Sequence, residues 1–379
     1  MNDIRVLNCI TGLNVGGAEY MLARFVKGLS DSAYRPSVLS LMPPGRVAEC
    51  RELAGIDIQS IGMPQAHPRF NSLWRLSKAV RRADPALFHG WMYHGNIAAS
   101  VGALMHRRTP VIWSIHHSVV DIKAERRMTQ RLIALAARLS RWTAAISYCS
   151  RVSAEQHEAL GFEPSKRHII PNGIDCGEFR PAGEARSMLH QLFDIPSGRL
   201  VIGNVARAHP MKDHASFVKT LAILLDQGHD VHGLIIGEGH ETGDGRRTAR
   251  ALGIEDRLTT SPARSDISRL LPGLDVFMLS SSWGEAFPLS VAEAMACGVP
   301  AVATDVGDCA WLVGDEDLIS KPSRPEAQAA IVGKLLSLAE SDRRQLGMAG
   351  RRRVLENFSI ENYVARHLAL YEQALYRRT

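Results

Sequence analysis

Two cations and two carboxylates in the second half of the chain are spaced so that they could meet one bound ligand, the cations an anion. Arg207 and Lys212 stand in NVARAHPMKDH (204–214), between an apolar run and a helical pattern. Cations beside a helix N-terminus suit a diphosphate; a solvated basic loop is the plainer alternative. Glu285 and Glu293 stand in GEAFPLSVAEA (284–294). Eight helical residues leave two side chains about 80° apart around the axis, so both could meet one ligand. Pro288 suits the first turn of a helix, which puts Glu285 in the preceding loop and Glu293 about a turn and a half inside. Val291, Ala292, Ala294, Met295 and Ala296 surround Glu293, and a carboxylate among buried apolar groups is costly unless something pairs with it. The alternative is a helix-dipole Glu285 and a surface Glu293.

The first half carries TGLNVGGAE (11–19). Gly12, Gly16 and Gly17 permit a tight turn and a close backbone approach, ahead of a helix N-terminus that attracts phosphate. The stretch is neither GxGxxG nor a Walker A loop, because Gly12 and Gly16 are four apart and Ala18 follows the last glycine. An ordinary glycine-rich turn fits as well. PVIWSIHHS (110–118) ends a strand pattern with His116 and His117, and HGWMYHGN (89–96) does so with His89 and His94. A strand-end histidine suits a sugar hydroxyl or a phosphate; otherwise it is a satisfied structural residue. DED (315–317) has the form of a metal-binding DxD but reads as an acidic turn away from these loops.

These residues need elements to hold them. Short β-rich runs alternate with helical patterns from RVLNCI onward, and a second such series starts at LVIGNVA (200–206). The alternation implies parallel sheets covered on both faces, and its recurrence implies two domains. Periodicity lapses in PNGIDCGEFRPAGEA (171–185), where Pro and Gly cluster. The expected domains are therefore 1–180 and 181–360, with an amphipathic tail helix, 361–379, that can cross back onto the first. Open α/β sheets bind ligands at the carboxyl ends of their strands, so the expected site is the cleft between two such sheets.

The totals narrow the class. With 379 residues, two domains is the prior. No apolar run approaches the ~18 residues of a membrane span, and MNDIRVLNCITGL lacks the pattern of a signal peptide. The six cysteines form no CxxC pair and no zinc spacing, which favours a cytoplasmic location with reduced thiols. Residues 1–180 hold 23 Lys and Arg against 14 acids, whereas 181–379 hold 22 against 25. A cationic first half faces an anion: membrane lipid, a lipid phosphate or nucleic acid. WRLSKAVRR (74–82), HRR (106–108) and KAERRMTQR (123–131) carry this charge, as solvated helices or as a peripheral membrane surface. No nucleic-acid-binding module is visible.

Together, GGAE, His116, PNGID (171–175), the Arg207/Lys212 loop, GEG (237–239) and Glu285-x7-Glu293 followed by ACGVPAVATDVGD resemble glycosyltransferase family 4. The match runs in order over nearly the whole chain. The resemblance implies an α/β GT-B fold, two doubly wound Rossmann-like domains facing a central cleft. It implies a retaining transfer of a sugar from a nucleoside-diphosphate-sugar to a glycan or lipid-linked acceptor, in cell-envelope or exopolysaccharide synthesis, with no cofactor and no metal. By position, Arg207 and Lys212 would take the donor diphosphate, and Gly16 and Gly17 would approach phosphates and sugar. His116 would contact the donor sugar and Glu285 its hydroxyls. Phe287 and Pro288 would shape a helix start whose N–H groups at Leu289 and Ser290 point at sugar or phosphate. Glu293 would hold the ribose hydroxyls, which would satisfy its oxygens, and Arg264 would lie at the base. Stabilising the departing diphosphate is the central chemical need, met by cations and helix N-termini. A front-face displacement, in which the diphosphate helps to deprotonate the acceptor, fits the absence of a carboxylate pair flanking one bond. The chain departs from the family pattern in two places. His117 replaces the usual Asp or Gly after the strand-end histidine, and CAWLV, with Trp311, stands where a Glu is frequent. A nucleotide-sugar epimerase of the same fold and a non-catalytic sugar-nucleotide-binding protein are the alternatives; the lack of GxGxxG disfavours a dehydrogenase.

Overall fold

The computed structural model describes residues 3–14, 16–63, 70–107 and 109–376. The chain forms two units, one of residues 1–173 with 360–379, the other of residues 174–359. The junctions fall at Gly173/Ile174 and Ser359/Ile360, several residues before the Pro/Gly-rich stretch has run out. Arg108, part of the basic cluster at 106–108, lies outside the described residues.

The first unit holds a seven-stranded parallel sheet of β1 (Ile4–Ile10), β2 (Tyr34–Ser40), β3 (Asp57–Ser60), β4 (Leu87–Trp91), β5 (Val111–Ile115), β6 (Ala145–Tyr148) and β7 (Arg167–Ile169). Their order is β3-β2-β1-β4-β5-β6-β7. β4, β5 and β6 are buried along their whole length, because helices cover both faces and alternation would expose nothing useful. The helix Gly17–Gly28 buries Ala18, Met21, Leu22, Phe25 and Val26 at helical spacing. Against it lies the last helix, Ile360–Tyr376, which buries Tyr363, Val364, His367, Leu370, Tyr371 and Ala374. A Cβ on Gly28 would stand 2.5 Å from a Val364 methyl, so a larger residue there would push the two helices apart.

The two helices enclose a buried aromatic and histidine cluster. Phe25 packs against His89, Trp91, Tyr363, His367 and Tyr371 with ring centroids 5.0–6.0 Å apart. His89 is fully buried and bonded to the Tyr371 hydroxyl and the Ser114 hydroxyl, each at 2.7 Å. It therefore ties the last helix to the sheet and lines no opening, contrary to the expectation for His89. His94, on the helix Met92–Met105, is half-buried.

The second unit holds a six-stranded parallel sheet of β8 (Leu200–Val205), β9 (Val231–Ile236), β10 (Leu258–Ser261), β11 (Val276–Leu279), β12 (Ala301–Thr304) and β13 (Ile319–Ser320), ordered β10-β9-β8-β11-β12-β13. Its core runs from Val201, Ile202 and Phe217 through Leu234 and Ile235 to Phe277, Val291 and Val302. Strand order reverses between β8 and β11 here, and between β1 and β4 in the first unit. At such switch points the loops leaving adjacent strands diverge and open a crevice. The loops carrying Arg207, Lys212 and Glu285 leave β8 and β11.

Burial pushes the imidazoles of His116 and His157 down to about 4 and that of His367 to about 3. The folded chain holds them neutral while the unfolded chain protonates them near 6.5, so the unfolded state binds more protons as pH falls. Stability is therefore complete above about pH 6.5 and declines from there toward pH 4, by up to ~1.4 kcal/mol per pH unit for each histidine. Urea midpoints at pH 7.5, 6 and 5 measure the decline; equal midpoints would contradict neutral burial.

Candidate functional site

In the second unit the site is built from the loops after β8, β9, β11 and β12. Gly237 has φ +158°, and a Cβ there would stand 2.0 Å from the Ala206 carbonyl oxygen. This bare glycine lets the GEG segment lie against the Arg207 loop. The Ala208 N–H donates to the Glu238 carbonyl at 2.7 Å, and the His240 Nε2 donates to the Ala206 carbonyl at 2.7 Å. The loop then makes a 3-10 turn, Pro210–Lys212. Asp213, at φ +45°, caps the helix His214–Asp226 by accepting from the Ser216 N–H at 3.1 Å. Two fixed ends leave Arg207 exposed and carry Lys212 inward.

Lys212 Nζ meets Glu285 Oε1 at 2.6 Å, with the two side chains only 16% and 7% exposed. The Ser281 hydroxyl donates to the same oxygen at 2.5 Å. Ser282 N–H to the Met211 carbonyl, 2.8 Å, and the Ser280 hydroxyl to the Lys212 carbonyl, 2.9 Å, join the two loops. From the far side, Gly307 at φ +59° brings the loop after β12 onto the Glu285 backbone, and a Cβ there would stand 2.1 Å from the Glu285 carbonyl oxygen. The carboxylate is thus held by a cation, a hydroxyl and a backbone clamp. Burial, then Arg207 and Lys212, holds the His209 imidazole below its ordinary value, a sign of the positive field over this loop.

Pro288 is the N-cap of the helix Leu289–Ala296 and gives it no side-chain cap. The first helical residue is therefore Leu289, one later than expected, and the first-turn N–H groups at Leu289 and Ser290 carry the helix's partial positive charge. Phe287 is buried against Phe358 and Trp311, with centroids 5.4 and 6.4 Å away. Its side chain anchors the helix start to the core, and Trp311 completes that anchor. Glu293 is half-buried, although Val291, Ala292, Ala294, Met295 and Ala296 are buried. It occupies the open edge of the helix, so the burial cost expected from its neighbours does not arise. Glu285 is not helical, so the 80° relation to Glu293 does not apply. Arg264 forms a two-pronged ion pair with Asp266, both bonds 2.8 Å, and lies 5.9 Å over the Phe193 ring.

In the first unit, His116 follows β5. Its ring stacks on Trp91 at 5.4 Å and 5°, and its Nδ1 bonds to Asn172 Oδ1 at 2.8 Å. Its Nε2 is buried with no hydrogen-bond partner among the described residues. An amide oxygen only accepts, so Nδ1 carries the hydrogen and Nε2 keeps a lone pair for a ligand donor. Gly12, Gly16 and Gly17 do not adopt the left-handed backbone. Gly16 is extended, at φ −174°, and caps the helix Gly17–Gly28; a Cβ there would stand 2.3 Å from the Glu19 carboxylate.

Sequence reasoning missed Ser281, His240, Asn172 and the exposed Trp283, whose ring lies 5.9 Å from that of His209. PNGID contained the signal for Asn172, and the serines ending LDVFMLSS that for Ser281. Asp315 accepts from the Asp317 N–H at 3.0 Å, which makes DED a capped turn. Among the described residues no group of three His, Cys, Asp or Glu is placed to hold a metal ion.

Comparison with known proteins covers both units. Residues 15–178 match the model of Glycosyltransferase Family 4, and residues 187–353 that of glycosyl transferases group 1. The putative glycosyltransferase EpsF of Bacillus subtilis is 28% identical over 79% of this chain and 79% of its own length. An MMP alpha-(1->4)-mannosyltransferase of Mycolicibacterium hassiacum is 26% identical over 75% of this chain and 71% of its own. Among solved structures, Anabaena Alr3699/HepE in complex with UDP and glucose has a TM-score of 0.83 at 19% identity, over 97% of this chain and 99% of that one. Sucrose-phosphate synthase from Thermosynechococcus elongatus has a TM-score of 0.77 at 18% identity, over 99% and 100%. These structural likenesses establish the fold.

Removing one partner of a largely buried ion pair leaves the other charge without its counter-ion. Lys212→Met should therefore cost about 3 kcal/mol of stability, seen as a lower urea midpoint. An unchanged midpoint would mean that the pair is not formed in solution.

Proposed function

Because the chain belongs to glycosyltransferase family 4 and has the GT-B fold, we propose that it is a retaining enzyme. It would transfer a sugar from a nucleoside-diphosphate-sugar to a glycan or lipid-linked acceptor. The observation that carries this reading is the convergence of Arg207, the Lys212–Glu285 pair and the uncapped helix start at Leu289 around one switch point. A diphosphate placed there meets two cations and the N–H groups of Leu289 and Ser290, and these stabilise the negative charge that grows as the diphosphate leaves. Glu285 takes both of its bonds through Oε1, so Oε2 is the oxygen for a sugar hydroxyl. Half-exposed Glu293 suits the ribose hydroxyls. Arg264 at a base would have to share itself with Asp266. His116 Nε2 accepts from a donor-sugar hydroxyl, and the Gly16–Gly17 backbone approaches the phosphates and sugar. No metal enters this scheme. In support of the donor class, the structural neighbour Anabaena Alr3699/HepE is seen in complex with UDP and with UDP-glucose. EpsF and a UDP-Gal:alpha-D-GlcNAc-diphosphoundecaprenol alpha-1,3-galactosyltransferase of Escherichia coli, 28% identical over 41% of each chain, support envelope or exopolysaccharide synthesis.

A lipid-linked acceptor implies work at a membrane surface. Among the described residues no helix is long and apolar enough to cross a membrane. The helices Phe70–Ala83, Met92–Met105 and Arg127–Ser140 neighbour one another in one layer of the first unit. From residue 70 to residue 142 twelve Lys and Arg stand against three acids. The same segment exposes Trp74, Leu104 and Trp142, at 66%, 70% and 73%. Cations next to exposed indole rings suit an anionic lipid surface.

Arg207→Ala should lower sugar transfer by at least a hundredfold, the scale of losing one donor to a developing charge, and proton NMR of the product should display the donor's anomeric configuration. Near-normal turnover would remove Arg207 from the site, and an inverted product would refute retention. The protein should sediment with phosphatidylglycerol vesicles at low salt and be released by 0.5 M salt, as about 1 kcal/mol per surface cation would give. No binding at low salt would contradict the membrane surface.

A further inference from the structure

His117, which departs from the family pattern, heads a hydrogen-bond chain whose direction is fixed at its far end. His157 Nδ1, on the helix Arg151–Ala159, lies 2.6 Å from the Ser153 carbonyl oxygen. A carbonyl only accepts, so that nitrogen carries the hydrogen. Burial holds the His157 imidazole at about 4, so in the neutral ring Nε2 is a bare acceptor. Tyr93 Oη, 2.7 Å away, must donate to it. Burial, then Glu125, Tyr148 and Cys149, pushes the Tyr93 phenol far up, so it keeps its proton. With that hydrogen committed, Tyr93 Oη accepts from His117 Nδ1 at 3.2 Å. The Ser153 hydroxyl holds the His117 carbonyl at 2.6 Å and fixes the backbone as well.

The last link of the chain is open. Burial lowers the His117 imidazole, only partly offset by Glu125, and the neutral ring has its hydrogen on Nδ1. His117 Nε2 then presents a lone pair 3.5 Å from Glu125 Oε1, with side chains 34% and 26% exposed. Two acceptors facing each other at the surface repel unless a donor comes between them. A phosphate would be turned away by the carboxylate, whereas two neighbouring sugar hydroxyls supply one hydrogen to each atom.

We propose that His117 Nε2 and Glu125 Oε1 each accept from one of two neighbouring hydroxyls of the acceptor sugar, with Tyr93 and His157 as positioning residues that hold His117 in the required tautomer. This rests on the glycosyltransferase reading above. The seat binds and orients, and no proton needs to leave either hydroxyl there.

The test has a part that needs no ligand and a part that needs one. Long-range 15N–1H spectra of the free protein at pH 7 should place the His117 hydrogen on Nδ1, and Tyr93→Phe should release it to the other tautomer. A wild-type His117 bearing its hydrogen on Nε2 overturns the proposal. With p-nitrophenyl glycosides as probe acceptors, His117→Asn and Glu125→Ala should each raise the acceptor KM about tenfold, leaving the donor KM and kcat within twofold. His117→Gln, whose amide oxygen replaces the Nε2 lone pair, should recover part of the loss. Unchanged acceptor KM in His117→Asn and Glu125→Ala, or an equal rise in donor KM, overturns the seat alone. A wild-type protein that transfers no sugar to any glycoside while its tautomer is as expected overturns the functional reading and, with it, the acceptor assignment.

Discussion

One ammonium and one carboxylate, 2.6 Å apart and mostly withdrawn from water, fix the geometry at the carboxyl ends of the second sheet. Two charges in that position tolerate little misalignment, because neither can fall back on solvent. Satisfying them requires the β8 and β11 loops to lie side by side, which the Ser282 and Ser280 bonds accomplish. It also requires two residues that can approach backbone at van der Waals limits, Gly237 and Gly307. The GEG and DVGD segments are the local cost of holding Lys212 against Glu285.

The pair sets the electrostatics as well as the shape. Glu285 compensates Lys212, so the free positive charge over the β8 loop belongs to the exposed Arg207 and the first turn after Pro288. A ligand with two negative charges would find one cation exposed and the other already anchored. Arriving next to Lys212, it would meet a cation that Glu285 already holds in place. Such prior ordering costs no reorganisation when charge develops. In the first unit order has another source, since Phe25, His89, Trp91, Tyr363, His367 and Tyr371 form a polar-aromatic core closed by the last helix. Each buried imidazole there has a hydroxyl or carbonyl partner, as burial of a polar group demands.

The alternation of strands and helices, and the placing of Arg207, Lys212 and Glu285 on loops leaving strands, were legible because apolar runs and helical periodicity are local signals. Side-chain partnerships were not. Nothing in HGWMYHGN distinguishes His89, closed in by a tyrosine 282 positions later, from a histidine in a cleft. The apolar neighbours of Glu293 suggested a buried acid, yet one edge of an otherwise buried helix is open and Glu293 stands on it. Pro and Gly mark the irregular stretch 171–185 but not where the chain passes from one core to the next, at Gly173/Ile174. For His89 and for the boundary the missing information is a contact distant in sequence.

The central claim is that the Lys212–Glu285 loops form a metal-independent nucleoside diphosphate site. It is tested most directly by the thermal stability of the purified protein with UDP, GDP and ADP, each with and without EDTA. A nucleotide at a hundred times its dissociation constant adds about 2.7 kcal/mol, a rise of several degrees. The account predicts that one nucleotide raises the midpoint selectively and that EDTA leaves the rise unchanged. A midpoint unmoved by all three at millimolar concentration, or a rise abolished by EDTA, would contradict it.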